Sequence, residues 1–373
     1  GEGSFIGGIH YRAAMLDGDY ELVCGAFSRN PNISAQTGKR YHLNPNRVYN
    51  SWETMLTTEN SLPMHERMEV VTIATPNHLH FPQAMAALNN GFHVICDKPV
   101  TISLEQALEL KETVEKTGLV FGLTHNYTGY PMVKEARKIV RSGQLGIIRK
   151  VVVEYPQGWL TTPIEHSGSK QAEWRTNPDI NGPGGCLGDI GIHAENLAEY
   201  ITGLSIEYLC ADLTSFVPSR KLDDDASVLL RFKGGAKGVL YASQISAGEE
   251  NALKIRVYGD KGGVEWQQMN PNILVLKLLD KPTQLLSAGT NQMYLNQQTR
   301  LNLRLPAGHP EGFIEAFANI YGNIAARIIS YKSGDPLSEH RDFPTIDDGV
   351  RGMLFIEKVL ESSVSKTKWI PFQ

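Results

Sequence analysis

Short apolar runs alternate with helix-like segments along the first third of the chain, and this alternation constrains the fold most strongly. Runs at 68–74, 92–96 and 119–124 have the length and composition of buried strands. A helical pattern between the first two ends at Gly91, and a second one opens on a capping box at Ser103. This spacing predicts a doubly wound parallel sheet, an α/β fold.

Length and composition limit the classes of protein. A chain of 373 residues is long for one hydrophobic core, so we expect two domains. A formal charge of -4 argues against a nucleic-acid or membrane-surface partner. There is no apolar run of about 18 residues that could cross a membrane. The four cysteines are scattered without a Cys-x-x-Cys, which favours a cytoplasmic location and argues against a zinc site.

A glycine-rich turn opens the chain, and a helical pattern follows it. Such a turn lets backbone N–H groups approach a pyrophosphate at a helix N-terminus. Gly7 comes one position later than the third small residue of the dinucleotide fingerprint, and no strand precedes the turn. We therefore expect the missing strand to lie upstream of Gly1. The predicted cofactor contacts in this segment are Gly1, Gly3, Ser4, Phe5 and Ile6.

A further predicted strand, 21–27, leads into Ser28 and Arg29. An acidic residue at this point would bind the ribose of NAD. A hydroxyl and a guanidinium fit the 2′-phosphate of NADP better. The sequence thus favours NADP over NAD, and the alternatives are that Arg29 stacks on adenine or faces solvent.

The strand at 92–96 ends in Asp97, Lys98 and Pro99. Ligands of open α/β sheets bind beyond the carboxyl ends of the strands, so Lys98 is a candidate catalytic residue at the edge of a crevice. Pro99 keeps Lys98 extended. The alternative is a surface lysine at an ordinary strand exit. Nearby, His78 and His80 lack further ligands, and we predict no metal.

The second half predicts an α+β domain. Helices at 131–142 and 346–363 flank long alternating strands at 147–155 and between 206 and 278, which indicates a mostly antiparallel sheet. Residues 280–308 read as irregular, before a helix that starts at His309 and runs to about 330. We place the domains at 1–125 and 126–373, with a last helix that can return to the first domain.

A polar, aromatic loop between 155 and 185 contains Trp159, Trp174 and Arg175. Aromatic faces can pack on the C–H side of a sugar while arginine bonds its hydroxyls. Alternatively, the two tryptophans fill the interface between the domains.

A glycine run at 182–188 leads into a predicted helix from Asp189 to about 201. Asp189 and His193 are four residues apart, so they would share a face. The carboxylate would then orient the imidazole and favour its protonated form, which suits general acid–base catalysis. The alternative is a surface ion pair.

The order and spacing of these motifs resemble those of the Gfo/Idh/MocA oxidoreductases, the glucose–fructose oxidoreductase and inositol dehydrogenase family. The marks of the resemblance are Thr75-Pro76-Asn77 with His80, Gly91-Phe92-His93-Val94 leading into Asp97-Lys98-Pro99, Trp174-Arg175, Asp189 with His193, and His309-Pro310-Glu311-Gly312. The family more often has Glu at position 97. The resemblance covers nearly the whole chain.

The resemblance implies an N-terminal Rossmann domain, a C-terminal domain with an open sheet, a cis peptide before Pro99 and a homo-oligomer, a dimer or tetramer, formed through that sheet. It implies NADP or NAD as cofactor and a sugar or polyol as substrate. Lys98, Asp189 and His193 would be catalytic. The implied cofactor contacts are Thr75, Pro76, Asn77, His80, Asp97 and Lys98. The implied substrate contacts are Tyr127, Trp159, Trp174, Arg175, His193 and His309.

Two other functions remain open on this fold. Some relatives use a bound NAD for redox-neutral glycoside cleavage, and others are non-catalytic NAD(P) sensors that bind a protein partner. A glycosidase releases sugar with no net change in NAD(P)H. The joint presence of Lys98, Asp189 and His193 speaks against a sensor.

Overall fold

The computed structural model describes residues 5–373. The predicted cofactor contacts Gly1, Gly3 and Ser4 lie outside the described residues. In the described part, the strands form a three-stranded parallel sheet and a nine-stranded mixed sheet.

The first sheet belongs to a Rossmann domain and consists of β1 (Val70–Ile73), β2 (His93–Cys96) and β3 (Phe121–Leu123), in that order. The accompanying helices are α1 (Phe5–Leu16), α2 (Pro31–Arg40), α3 (Trp52–Ser61), α4 (His80–Asn89) and α5 (Leu104–Thr117). Every residue of β2 is buried, as its apolar sequence predicted. Because Cys96 is in register with both Ile73 and Leu123, the chain leaves all three strands at the same edge.

The predicted strand at 21–27 is wrong as a ladder strand. Among residues 5–373 it makes one isolated parallel bridge, between Gly25 and Val48. The amide of Gly25 donates to Arg47 and its carbonyl accepts from Tyr49. A strand needs a continuous partner on at least one side. Among residues 5–373 this segment does not pair with β1, which is the edge of the described sheet, so it forms no ladder.

The second half is built on an open sheet in the order β11-β10-β9-β8-β4-β7-β6-β5-β12. Among the described strands of this sheet, only β4 and β7 pair in parallel, so the sheet is mixed and mostly antiparallel, as predicted. Its strands are β4 (Ile148–Pro156), β5 (Ile206–Thr214), β6 (Asp225–Phe232), β7 (Lys237–Ser243), β8 (Lys254–Gly259), β9 (Gly262–Gln267), β10 (Ile273–Leu278), β11 (Gln284–Ser287) and β12 (Ile370–Pro371). The helices of this half are α6 (Pro131–Arg141), α7 (Lys170–Arg175), α8 (Pro178–Asn181), α9 (Ile192–Thr202), α10 (Gln297–Arg300), α11 (Phe313–Ser333) and α12 (Ile346–Val364).

Three segments differ from the predictions, two of them at the start of a helix. The helix predicted from Asp189 begins instead as a π turn, Leu187–Gly191, before α9. The segment predicted as irregular contains the short elements β11 and α10. Helix α11 starts at Phe313 and not at His309, because the Glu315 carboxylate accepts the Gly312 amide, 2.8 Å away, and so caps the first turn there.

The last helix lies between the two halves. Helix α12 packs on β5 and on α5 of the Rossmann domain. A Cβ on Gly349 would lie 2.9 Å from the Cβ of Val100, so glycine allows the close approach. Across residues 5–373, no helix is both long and apolar enough to cross a bilayer.

Candidate active site

Lys98 connects the carboxyl end of β2 to the second half of the chain. Its Nζ lies 2.9 Å from Asp189 Oδ1 and also donates to the Asp189 backbone carbonyl. The two side chains are 15% and 14% exposed, so the pair is largely buried but still reached by solvent. The Lys98–Pro99 peptide is cis, in agreement with the sequence prediction.

The glycine run before Asp189 allows the chain to pack tightly against the loop before β6. A Cβ on Gly185 would lie 2.0 Å from the Asp223 carbonyl oxygen. The Asp223 carboxylate accepts the amides of Gly185, at 2.6 Å, and Leu187, at 2.8 Å. These contacts fix the start of the π turn that carries Asp189. Such turns are frequent at functional sites.

Asp189 is surrounded by donors. Its Oδ2 accepts from Arg175 Nε at 3.2 Å and from Gln244 Nε2 at 2.8 Å, while Oδ1 accepts from Lys98. Burial alone would raise the pKa of Asp189, but the Lys98 ammonium and the Arg175 guanidinium hold it well below its usual range. Asp189 is therefore a permanent anion that positions Lys98.

The predicted pairing of Asp189 with His193 is wrong. His193 is buried, and its Nδ1 lies 3.3 Å from Nδ1 of His125. Burial lowers the pKa of His193 well below its ordinary value, and the Lys98 charge lowers it further. The ring is neutral at neutral pH instead of being held in the protonated form.

His125 is a site residue that the sequence analysis missed. It lies two residues beyond Leu123, the carboxyl end of β3. Its buried ring meets the His193 ring edge-on, with centroids 5.2 Å apart and planes at 86°. Burial, reinforced by the Lys98 charge, lowers the pKa of His125 to about 3. The parallel register was the signal that could have revealed it, since it brings the residues after β3 to the edge that carries Lys98.

Tyr127 lies beside His193, with ring centroids 4.9 Å apart. Its hydroxyl shares a hydrogen bond with the hydroxyl of Tyr155 and accepts from Asn251 Nδ2 at 3.2 Å. Asn251 Oδ1 accepts from the Tyr155 hydroxyl and from Gln157 Nε2, both at 2.7 Å. These residues form a polar wall next to the imidazole, of which sequence analysis named Tyr127 as a substrate contact.

Trp159, Trp174 and Arg175, predicted as substrate contacts, lie together in one cluster. The Arg175 guanidinium carbon lies 4.1 Å from the ring centroid of Trp174 and 5.8 Å from that of Trp159. Trp159 Nε1 donates to Gln157 Oε1 at 3.0 Å, which joins this cluster to the polar wall. His309 instead lies on an exposed loop before α11, with Nδ1 3.3 Å from the Pro306 carbonyl.

Two side chains of the Thr75–His80 motif, which was predicted to contact the cofactor, form hydrogen bonds within the protein itself. Both ring nitrogens of His80 face backbone carbonyls, Nδ1 that of Pro99 at 2.7 Å and Nε2 that of Thr75 at 2.8 Å. Asn77 Nδ2 donates to the carbonyl and side-chain oxygens of Asn181. The motif thus holds the strand ends and α8 together. Pro76 is partly exposed.

The Asp97 carboxylate holds the backbone of Lys98 in place. Its Oδ1 accepts the Lys98 amide and the Thr124 hydroxyl, both at 2.9 Å. Oδ2 lies 3.9 Å from Nε2 of the buried His10. Burial would raise the pKa of Asp97, but His10 and then Lys98 lower it well below its usual range.

The remaining predicted cofactor contacts lie on the surface. Phe5 and Arg29 are exposed, and Ile6 and Ser28 are partly buried. The Ser28 hydroxyl accepts the Asn30 amide at 3.1 Å, just before α2.

The carboxyl edge of the parallel sheet fits a dinucleotide. Thr75, Lys98 and His125 follow three adjacent strands at this edge, where such cofactors bind. Buried Asn126 Nδ2, next to His125, has no hydrogen-bond partner among residues 5–373, so a donor is available there. No group of three His, Cys, Asp or Glu residues suited to a metal ion occurs in that same range.

Comparisons with known proteins agree with this architecture. Residues 1–125 match the model of the oxidoreductase family with an NAD-binding Rossmann fold, and residues 133–265 match that of the GFO/IDH/MocA C-terminal domain. The uncharacterized oxidoreductase YfiI of Bacillus subtilis is 34% identical over 378 residues, which cover 99% of this chain and 94% of that protein.

Two solved structures are similar over almost their whole length. The oxidoreductase from Sinorhizobium meliloti is 42% identical, with a TM-score of 0.89 and coverage of 99% of this chain and 97% of that one. The inositol dehydrogenase homolog from Azotobacter vinelandii, complexed with NADH and myo-inositol, is 34% identical, with a TM-score of 0.93 and coverage of 100% and 95%. The chain therefore belongs to the Gfo/Idh/MocA family of NAD-binding oxidoreductases.

Proposed function

We propose that this protein is an NAD(P)-dependent dehydrogenase that acts on a CH–OH group of a sugar or polyol. The observation that carries the proposal is the link between Lys98 and the segment that carries His193. Lys98 follows a strand of the Rossmann sheet and donates to Asp189 in the π turn that leads into α9. His193 lies on α9, and the Lys98 charge acts on its ring. An ammonium and a neutral imidazole are thereby available at one edge of the crevice.

Lys98 suits the role of binding the reacting oxygen. An ammonium has three N–H donors, and within residues 5–373 Asp189 accepts two of them, through its carbonyl and its carboxylate. The third donor is left for a substrate oxygen, whose negative charge in the transition state the ammonium stabilises. Asp189 keeps Nζ in place for this contact.

His193 suits the role of general base. Its pKa is lowered, so the ring is neutral and can accept a proton at neutral pH. Nδ1 faces His125, and Nε2 has no partner among the described residues. The substrate hydroxyl would lose its proton to Nε2, and the nicotinamide, when bound, supplies the hydride acceptor.

The polar wall and the tryptophan cluster beside it suit a hydroxyl-rich substrate. Hydroxyl and amide groups of Tyr127, Gln157 and Asn251 can bond hydroxyls, and the partly exposed faces of Trp159 and Trp174 can pack on C–H groups. The Azotobacter vinelandii homolog was solved with myo-inositol, a polyol of this kind.

For the cofactor, we propose that NADP is accepted as well as NAD. Arg29 is exposed directly after the 21–27 segment, and residues 28–30 contain no carboxylate that would repel a 2′-phosphate. We also propose that the protein forms a homo-oligomer through the open sheet. We further propose a cytoplasmic location, which the four free cysteines favour.

A ligand screen followed by an absorbance assay tests the function. The melting temperature should rise with NAD or NADP and rise again with a sugar or polyol, because ligands that bind the native state stabilise it. With the hits, Lys98→Ala and His193→Ala should each lower turnover by about two orders of magnitude or more, with the fold retained. Lys332→Ala and His65→Ala, at exposed positions, are the matched controls.

Three outcomes contradict the proposal, either the assigned residue roles or the dehydrogenase activity itself. Near-normal turnover in both site variants removes the assigned roles. Release of sugar without net change in NAD(P)H identifies a glycosidase. Tight cofactor binding with no turnover across the panel identifies a sensor.

A further inference from the structure

His125 and His193 approach each other through the same type of atom. Their Nδ1 atoms are 3.3 Å apart, and both rings are buried. The two residues come from different parts of the fold, the end of β3 and helix α9. Neither the sequence motifs nor the proposed mechanism gives His125 a task.

This contact restricts the tautomers of both rings. A neutral imidazole carries one N–H donor and one acceptor nitrogen. A hydrogen bond between two Nδ1 atoms needs a proton on one of them and a lone pair on the other. The two histidines must therefore hold opposite tautomers, one with its proton on Nδ1 and the other with its proton on Nε2.

Only one of the two arrangements leaves His193 able to act. If His193 donates from Nδ1, its Nε2 carries the lone pair and can take a proton from a substrate hydroxyl. If His125 donates, His193 carries its proton on Nε2 and is no base at that atom. We propose that His125 is a positioning residue that accepts the Nδ1–H of His193 and so keeps Nε2 of His193 ready as the base.

The surrounding charges are compatible with this assignment. The charged groups that act on the pair are Lys98, Asp97 and Asp189, and the Tyr127 ring packs against His193. In the proposed arrangement the proton of His125 is on Nε2. The Lys98 charge acts on that ring more strongly than the opposing charge of Asp97, so the ring stays neutral and carries a single proton.

The inference rests on the proposed function, because a base requires the free nitrogen on the substrate side. The hydrogen bond itself does not depend on the substrate or the cofactor. It can therefore be measured in the protein alone.

The test is nitrogen NMR of the protein labelled with 15N-histidine, without cofactor. The shifts of Nδ1 and Nε2 distinguish a protonated from an unprotonated ring nitrogen, and the His193→Ala and His125→Phe variants assign the signals. We expect the proton on Nδ1 of His193 and on Nε2 of His125. A wild-type His193 with its proton on Nε2 overturns the inference.

Variants add a kinetic readout. His125→Phe removes the acceptor, and His125→Asn keeps an acceptor oxygen near the position of Nδ1. We expect His125→Phe to lower kcat by at least about tenfold with little change in KM, and His125→Asn to recover part of that loss. His93→Asn, at a buried histidine at the start of β2, is the control and should leave the His193 signals unchanged.

The results separate the two proposals. Equal kcat in wild type and His125→Phe, or an unchanged His193 tautomer in that variant, refutes the positioning role while the dehydrogenase stands. A protein with the expected tautomers and no turnover refutes the dehydrogenase, whereas the assigned hydrogen bond is then confirmed by NMR alone.

Discussion

Lys98 donates to both the carboxylate and the backbone carbonyl of Asp189, 91 residues further along the chain. The carboxylate contact measures 2.9 Å. This pair joins the parallel sheet to the π turn before α9, so the reacting groups depend on how the two halves pack.

The energetic coupling of this pair should exceed that of an exposed one. Removing one partner leaves a partly buried charge uncompensated. In a double-mutant cycle of Lys98→Met and Asp189→Asn, we expect a coupling of about 1–3 kcal/mol in the free energy of unfolding. Denaturant titration measures it. The control cycle is Lys332→Met with Glu69→Gln, a pair 56% and 51% exposed, expected to couple by less than about 1 kcal/mol. Equal coupling energies would contradict the prediction.

The tight turn before Asp189 gives a second prediction. Gly185→Ala would place a methyl group 2.0 Å from the Asp223 carbonyl oxygen, so the backbone must move. We expect a loss of about 1–3 kcal/mol in the free energy of unfolding. Gly188→Ala, in the same turn, is the matched control, because its nearest neighbour, Ile356, lies 3.8 Å away. A Gly185→Ala protein as stable as the control would show that the turn adapts.

The sequence predicted one half of the site better than the other. Lys98 was found because a buried apolar run ends in a charged pair, and that pattern depends only on neighbours in the chain. The partner of His193 was not found, because four-residue spacing assumes a regular α-helix. The π turn at Leu187–Gly191 changes the directions of its side chains, so Asp189 faces Lys98, and His125 comes from 68 residues away.

The buried imidazoles predict a loss of stability in mild acid. The folded pKa of His125 is about 3, below the ordinary unfolded value of about 6.5, so the unfolded chain binds more protons between these values. Stability is therefore full above about pH 6.5 and declines as the pH falls through that value. From pH 7 to pH 5, His125 should account for about 2 kcal/mol of the decline.

Denaturation of His125→Asn at the two pH values checks this. The variant should lose about 2 kcal/mol less than wild type. His65→Asn, whose side chain is 81% exposed, should behave as wild type. The comparison stops at pH 5 because the carboxylates of Asp97 and Asp189, whose pKa values are lowered, contribute only at more acidic pH. The same decline in wild type and His125→Asn would contradict the buried neutral state.

The choice of cofactor is tested at Arg29. The guanidinium is exposed next to Ser28, and it can form a charge-assisted contact with a 2′-phosphate but has no comparable group to bind in NAD. We expect Arg29→Ala to raise the Kd of NADP by about tenfold or more, because it removes a contact worth about 1.4 kcal/mol or more. The Kd of NAD should change by less than about twofold, since 1.4 kcal/mol corresponds to a factor of ten and no such contact is lost. Calorimetric titration measures both constants, with Arg40→Ala, at the exposed end of α2, as the control. Parallel losses of both affinities would show that Arg29 contacts the adenosine shared by the two cofactors, and no change in either would place it in solvent.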